Sequence, residues 1–235
     1  MILGVDYSKW QGRINPQKLI NFGIAFAIVK CGEYLTYYDD PEFDDKYYDY
    51  NMYGLELVDL PHGSYYFYHP KAGNTKQLRH FERLWKANPH DFPPVLDVEA
   101  HDGLSPAEVA RQIKVMLEGM EEISGRQPII YTSPGFWNSY AYNPDWSDEY
   151  KFWVAQYPKL TTTIFKNVIM HQFTDKGAIP GCPTIDLNYW LGTEEELREL
   201  TEKEITIVQI AENRIKNKIF AISKINRQWL ENQMR

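Results

Sequence analysis

Cysteine is nearly absent: Cys31 and Cys182 are the only two in 235 residues. Two thiols are too few for a disulfide scaffold and do not stand at metal-ligand spacing, and sequence leaves open whether they pair with each other. Histidine is scarce too, six in all, with no His-x-x-x-His and no His-Glu-x-x-His, which excludes a zinc hydrolase of the helix-borne type. No metal or cofactor is expected. No apolar run approaches the length of a membrane span. The N-terminus runs straight into a strand-like segment without a basic stretch followed by an apolar one. The expectation is a protein made in the cytoplasm without a signal peptide and without a membrane partner. Basic charge is also in deficit, 25 Lys and Arg against 32 Asp and Glu, and an acidic body is a poor nucleic-acid binder. Internal repeats and low-complexity segments are missing.

What is plentiful is aromatic surface, 15% of the chain with 17 Tyr and 7 Trp. Much of this belongs in a core, but flat faces with polar edges also suit a sugar ligand. Charge is unevenly spread. Residues 203–235 carry seven Lys or Arg against three Glu, leaving 18 basic and 29 acidic side chains in the rest. In the same stretch Ile205, Val208, Ile215, Ile219, Ile222, Ile225 and Trp229 fall near heptad spacing. A helix packed back on the body explains this; self-association through 205–229 is the alternative.

The most informative segment is Pro93-Pro94-Val95-Leu96-Asp97-Val98-Glu99-Ala100. A short apolar strand ends in two carboxylates at i and i+2, which project to one side. Paired carboxylates in a partly apolar setting raise at least one pKa and create a proton donor near neutrality. Glycosidic-bond cleavage needs such a donor. Two solvated loop acids are the plain alternative. Other short strands end similarly: Ile2–Ser8 delivers Asp6, Ala25–Lys30 delivers Lys30 with Glu33 beyond, and Pro183–Asn188 delivers Asp186 and Asn188. Acids at successive strand ends are how a (β/α) barrel builds a site. A structural alternative for Asp6 and Asp186 is an ion pair with Lys30.

Strand-like and helix-like segments alternate, as parallel strands with crossover helices require. Helices are expected at Pro16–Asn21, around Phe43–Tyr53 with Gly54 as its stop, at Thr75–Ala87, and from Ser105-Pro106-Ala107-Glu108 to near Gly125. Strands are expected at His62–Tyr68 and Pro128–Ser133. Beyond them the helices thin out, with strands at Phe152–Tyr157, Ile169–Phe173 and Ile185–Asn188. The expected class is α/β, an irregular TIM-like barrel over 1–194 with a basic helical C-terminal extension over 195–235.

These segments together resemble glycoside hydrolase family 25, the lysozymes or N-acetylmuramidases found in phage endolysins and some bacteria. The residues that carry the resemblance are Gly4-Val5-Asp6-Tyr7-Ser8 with Gln11-Gly12, Gly23–Phe26 leading to Lys30, and Gly63-Ser64-Tyr65-Tyr66-Phe67. It continues through Pro94–Glu99, Ile130-Tyr131-Thr132, Trp153-Val154-Ala155-Gln156-Tyr157 and Ile185-Asp186-Leu187-Asn188, in family order over roughly 1–192. The sequence departs from the family pattern at Tyr66, at His171, and at Cys31-Gly32-Glu33-Tyr34.

The resemblance implies a (β/α)5(β)3 barrel that cleaves peptidoglycan glycan strands between N-acetylmuramate and N-acetylglucosamine, of phage endolysin type, acting at the bacterial cell wall. It implies Glu99 as proton donor, Asp97 as the group that orients the substrate's acetamido, and Asp6 and Asp186 as further catalytic acids. Tyr65, Phe67, Tyr131, Trp153, Gln156 and Gln172 are the expected sugar contacts. The basic tail is expected to meet anionic wall polymers. A chitinase-like hydrolase and a lectin-like barrel without catalysis remain as alternatives.

Overall fold

The computed structural model describes residues 1–36 and 41–202. In chain order the elements are β1 (Ile2–Tyr7), α1 (Pro16–Phe22), β2 (Phe26–Tyr34), β3 (Glu42–Asp44), α2 (Tyr48–Leu57), β4 (His62–Phe67), α3 (Asn74–Ala87) and β5 (Val95–Asp97). Then come α4 (Pro106–Ser124), β6 (Ile129–Thr132), α5 (Pro134–Phe136), β7 (Lys151–Ala155), β8 (Val168–Ile179), β9 (Cys182–Trp190) and α6 (Glu194–Thr201). Neighbouring strands run in the order β1-β9-β8-β7-β6-β5-β4-β2-β3, and β1 also pairs with β2. That second pairing closes the sheet. β3 only extends the edge of β2, so eight strands form the ring. The irregular (β/α)5(β)3 barrel expected from sequence is thus present.

Strand alternation divides the apolar residues into two layers. Phe26, Ile28, Val95, Ile129, Trp153 and Met170 fill the barrel interior. Val5, Val29, Leu96, Ile130, Phe152 and Val154 alternate with them and pack outward under the helices. The interior is tight at Gly4, where an added Cβ would stand 2.2 Å from the Phe26 ring, so only glycine fits. Helix α4 turns Val109, Ile113, Met116, Leu117 and Met120 into the outer layer. Each such burial contributes about 1.5–3 kcal/mol. Its start follows the sequence: Ser105 Oγ accepts from Glu108 N at 3.4 Å, with Pro106 in the first turn. The Glu108 carboxylate reaches Arg111 and Gln112 instead of closing the box.

Several local expectations are corrected. Phe43 lies in β3, not in a helix, because the end of β2 offers an edge to Glu42–Asp44. Gly54 does not stop α2, which continues to Leu57. β5 ends at Asp97, two residues short of Glu99. β8 and β9 are longer than the apolar cores that marked them, and form an antiparallel hairpin. β9 is antiparallel to β1 as well, so Asp186 arrives from the middle of a strand instead of its C-terminal end. Cys31 and Cys182 are both buried free thiols.

α6 straddles the boundary expected at 194/195. A capping box of Thr193 and Glu196 starts it, and Leu197 joins the interior cluster. The apolar stripe over 205–229 and its proposed partners lie outside the described residues.

Candidate active site

Alternation also decides which polar side chains enter the barrel mouth. Asp6 on β1, Lys30 on β2, Tyr65 and Phe67 on β4, Asp97 on β5 and Tyr131 on β6 share the inward parity of the apolar plug. Trp153 on β7, Gln172 on β8 and Asp186 and Asn188 on β9 do the same. The register sets Asp6 directly opposite Asp186, with Gly4 opposite Asn188 and Gln172 opposite Asn188 on the other side.

Gln172 is the hub of this layer. Its Nε2 donates to Asp6 Oδ2 at 2.9 Å and to Asp186 Oδ2 at 3.4 Å. Its Oε1 accepts from Tyr131 Oη at 2.8 Å and also from the Tyr157 hydroxyl. Asn188 Nδ2 donates to Asp6 Oδ2 at 2.7 Å, and Asn188 Oδ1 accepts the Trp153 indole N–H at 2.7 Å. The Asp6–Asp186 pair is therefore built in, with amides on both sides. Burial, then the Asp186 charge, hold Asp6 well above the ordinary carboxylate range, against the pull of its two amide donors. Burial pushes Asp186 up to about 6. Like charges held together against burial share protons as a pair.

The second pair is Asp97 and Glu99. Asp97 is 4% exposed, and its Oδ1 is buried without a hydrogen-bond partner among the described residues. Burial first, and the Glu99 charge second, raise its pKa well above the usual range. Glu99 itself is exposed at the rim. The crowded mouth still withdraws water from its carboxyl and raises its pKa, helped by the Asp186 charge and opposed by Lys30. An exposed acid beside a buried one, both raised, is the environment of a proton donor and its partner.

Lys30 does not pair with Asp6 or Asp186, as the structural alternative had it. Its Nζ meets Glu33 Oε1 at 3.0 Å and stands 4.9 Å from the centre of the Phe67 ring. Glu33 in turn faces His69 Nε2 at 3.6 Å, and His69 Nδ1 faces Asp102 at 3.3 Å. Lys30 and His69 hold Glu33 down to about 2 in spite of partial burial.

The expected sugar contacts divide. Tyr65 and Phe67 are half-buried on the inner face. Trp153 is 1% exposed and Gln172 is equally enclosed, with their polar atoms committed to Asn188, the acid pair and the tyrosines. Tyr131 is buried edge-on against Trp153 with its hydroxyl given to Gln172. Gln156 accepts the Thr161 and Thr162 amides and so holds the loop after β7. The polar atoms of these four are held by neighbouring protein groups, which brace the mouth. Two partners were absent from the expected contacts. Asn188 was legible through its shared parity with Asp186; Tyr157 closes the Trp153–Tyr157 motif but was expected at the end of a strand, whereas β7 ends at Ala155 and Tyr157 reaches Gln172 from the loop beyond.

Comparison with known proteins agrees with this geometry. The family model for "Glycosyl hydrolases family 25" matches residues 5–182. "Uncharacterized protein YegX" of Escherichia coli O157:H7 is 28% identical over 211 residues, 86% of this chain and 74% of the relative. "Lysozyme M1" of Streptomyces globisporus is 27% identical over 216 residues, 85% of this chain and 71% of the relative. Among solved structures, a family 25 glycosyl hydrolase from Bacillus anthracis superposes with a TM-score of 0.73 at 25% identity, covering 86% of this chain and 94% of that one.

Proposed function

The chain belongs to glycosyl hydrolase family 25, and from that premise we propose that it cleaves the β-1,4 bond between N-acetylmuramate and N-acetylglucosamine in peptidoglycan. It is a glycoside hydrolase of the muramidase type, like the lysozyme and N,O-diacetylmuramidase relatives. The observation that carries the finer reading is the pairing of rim-exposed Glu99 with buried Asp97, whose Oδ1 is uncommitted.

Glu99, whose pKa is raised by burial and by the Asp186 charge, gives its proton to the glycosidic oxygen as the bond to N-acetylmuramate breaks. The i, i+2 spacing leaves little room for the water of an inverting pair, since such neighbours lie about 6–7 Å apart at Cα. The substrate's own acetamido oxygen attacks the anomeric carbon instead. In the singly protonated pair the proton rests on Glu99, and the Asp97 carboxylate accepts a hydrogen bond from the acetamido N–H and balances the positive charge that develops there. Water, deprotonated by the Glu99 carboxylate, then opens the cyclic intermediate. The Asp186 charge adds to the burial that raises Glu99, Asp6 pairs with Asp186, and Tyr65 and Phe67 offer faces to the sugar rings.

Mass spectrometry of a digest of purified cell walls tests this. New reducing ends at N-acetylmuramate are expected. Reducing ends at N-acetylglucosamine, or free amino groups from a cut amide, would overturn it. An endolysin that opens a host's wall from within is the finer reading of origin and rests on the family resemblance alone. Lysis on co-expression with a membrane-pore protein is its test.

A further inference from the structure

Outside the acidic mouth, the loop after β1 and the start of α2 form a ledge of opposite character. Trp10 is 82% exposed and Tyr50 50% exposed, a large expense of aromatic surface in water. Cations lie over these faces. Lys9 Nζ is 5.4 Å from the Trp10 ring centre and 5.3 Å from that of Phe43. The Arg13 guanidinium is 4.8 Å from Tyr50 and 5.8 Å from Tyr47, and Lys46 Nζ is 5.3 Å from Tyr47. None of the three cations has a carboxylate within ion-pair distance among the described residues; Arg13 and Lys46 are exposed and Lys9 is half-buried.

The ledge is braced, not loose. Asp45, 6% exposed, accepts the Lys9 amide at 2.6 Å and the Tyr47 amide at 3.0 Å. Asn51, 2% exposed, accepts the Ile14 amide at 3.1 Å and donates to Gly12 O at 3.1 Å. Two buried polar side chains thus pin the loop after β1 to the segment leading into α2. The ledge is anchored at the strand ends that form the mouth: it begins directly after Tyr7 of β1, the strand that carries Asp6, and Asp45 N donates to Cys31 O, next to Lys30, at 2.9 Å.

A strand of muramidase substrate carries carboxylates on the peptide stems attached to its muramate lactyl groups. The mouth, lined by Asp6, Asp97, Glu99 and Asp186, offers these anions no free counter-charge, because its Lys30 is paired with Glu33. The ledge beside it offers cations for carboxylates and aromatic faces for sugar rings. We propose that the Trp10–Arg13–Tyr50 ledge is an extended subsite that binds the anionic, peptide-bearing part of the glycan strand beyond the cleaved bond. This rests on the muramidase reading and adds to it what selects a wall strand over a neutral polymer. Stems drawn to the ledge leave the sugar backbone to enter the mouth, so binding and cleavage use separate faces of one substrate.

The test uses the full chain. Affinity for soluble, stem-bearing glycan strands is measured in a Glu99→Gln background, alone and with Arg13→Ala/Lys46→Ala or Trp10→Ala, at two salt concentrations. The first two sites and Trp10 are exposed, so unchanged thermal melting confirms folding. Expected for the double cation variant is a loss of about tenfold at low salt that shrinks at high salt. Neutral N-acetylglucosamine oligomers should lose affinity with Trp10→Ala but not with the cation variant. In the active chain, Arg13→Ala should raise KM on stem-bearing strands and keep kcat. Equal affinity of parent and variants for the strands would overturn the proposal. So would a loss confined to a phosphate polymer, which would make the ledge a general polyanion surface. If the parent chain instead released no N-acetylmuramate ends while the ledge variants still lost strand affinity, the activity reading would fall and the ledge would stand.

Discussion

Replacing Asp186 by Asn is expected to stabilise the fold while impairing turnover. Asp186 and Asp6 face each other across β9 and β1 and share the Gln172 amide. Burial raises Asp186 to about 6 from an ordinary 3.8, and Asp6 is raised by burial and by Asp186. An acid that holds its proton more tightly folded than unfolded favours the fold while protonated. That advantage is complete below about pH 3.8 and is lost as pH rises through about 6. The gap corresponds to at most roughly 3 kcal/mol. Because Asp186 keeps part of its surface in water, screening reduces this to about 1–2 kcal/mol.

An amide at position 186 removes the charge and still fits the network: its oxygen accepts from Gln172 Nε2 and its NH2 faces Asp6. At pH 7.5 the variant should therefore exceed the parent by about 1–2 kcal/mol, or several degrees in Tm for a chain of this size. Near pH 4, where the parent's carboxyl is largely protonated, the advantage should vanish. Urea unfolding followed by tryptophan fluorescence at the two pH values measures it. A variant no more stable than the parent at pH 7.5, or equally ahead at both, would refute the reasoning. A gain in stability with a loss in rate is what a site built on like charges implies.

Three other substitutions probe the rest of the mouth. Glu99→Gln should lower kcat by about 10²–10⁴-fold on cell walls with the fold intact, since Glu99 is exposed; near-normal turnover would move the donor role elsewhere. Lys30→Met removes the charge that lowers both Asp97 and Glu99, so the alkaline limb of the kcat/KM profile should move to higher pH; a downward shift would contradict it. Trp153→Phe leaves Asn188 Oδ1 without its indole donor and should cost about 1–3 kcal/mol in denaturant unfolding.

The barrel and the inward set were readable because both follow from a period of two. Once Val95 and Ile129 are placed inside, Asp97 and Tyr131 must follow, and Glu99 keeps the same parity even though β5 has ended. Position at strand ends likewise groups Asp6 and Asp186 in the sequence, whereas Gln172 enters there only as a sugar contact implied by the family resemblance. What parity does not carry is strand direction after a hairpin. The Gly181 turn between β8 and β9 reverses the chain, and only the register then shows that Asp186 meets Asp6 from the middle of its strand.

Parity also does not say which polar atoms remain available. Trp153, Gln156 and Gln172 are the residue types a sugar site uses, and two of them lie on the correct face. Their partners, however, come from other strands and from loops: Asn188 across the barrel, Tyr157 and Thr161 from the turn after β7. Such commitments depend on three or more segments meeting, which no local pattern encodes. The outcome has a physical logic. Two repelling carboxylates at the barrel mouth need donors to hold their positions, and Gln172 and Asn188 serve that need. Those amides in turn need the tyrosine hydroxyls and the Trp153 indole to fix their orientation. We take Asp97, whose Oδ1 no donor holds among the described residues, with rim-exposed Glu99 and half-buried Tyr65 and Phe67, as the groups a substrate meets.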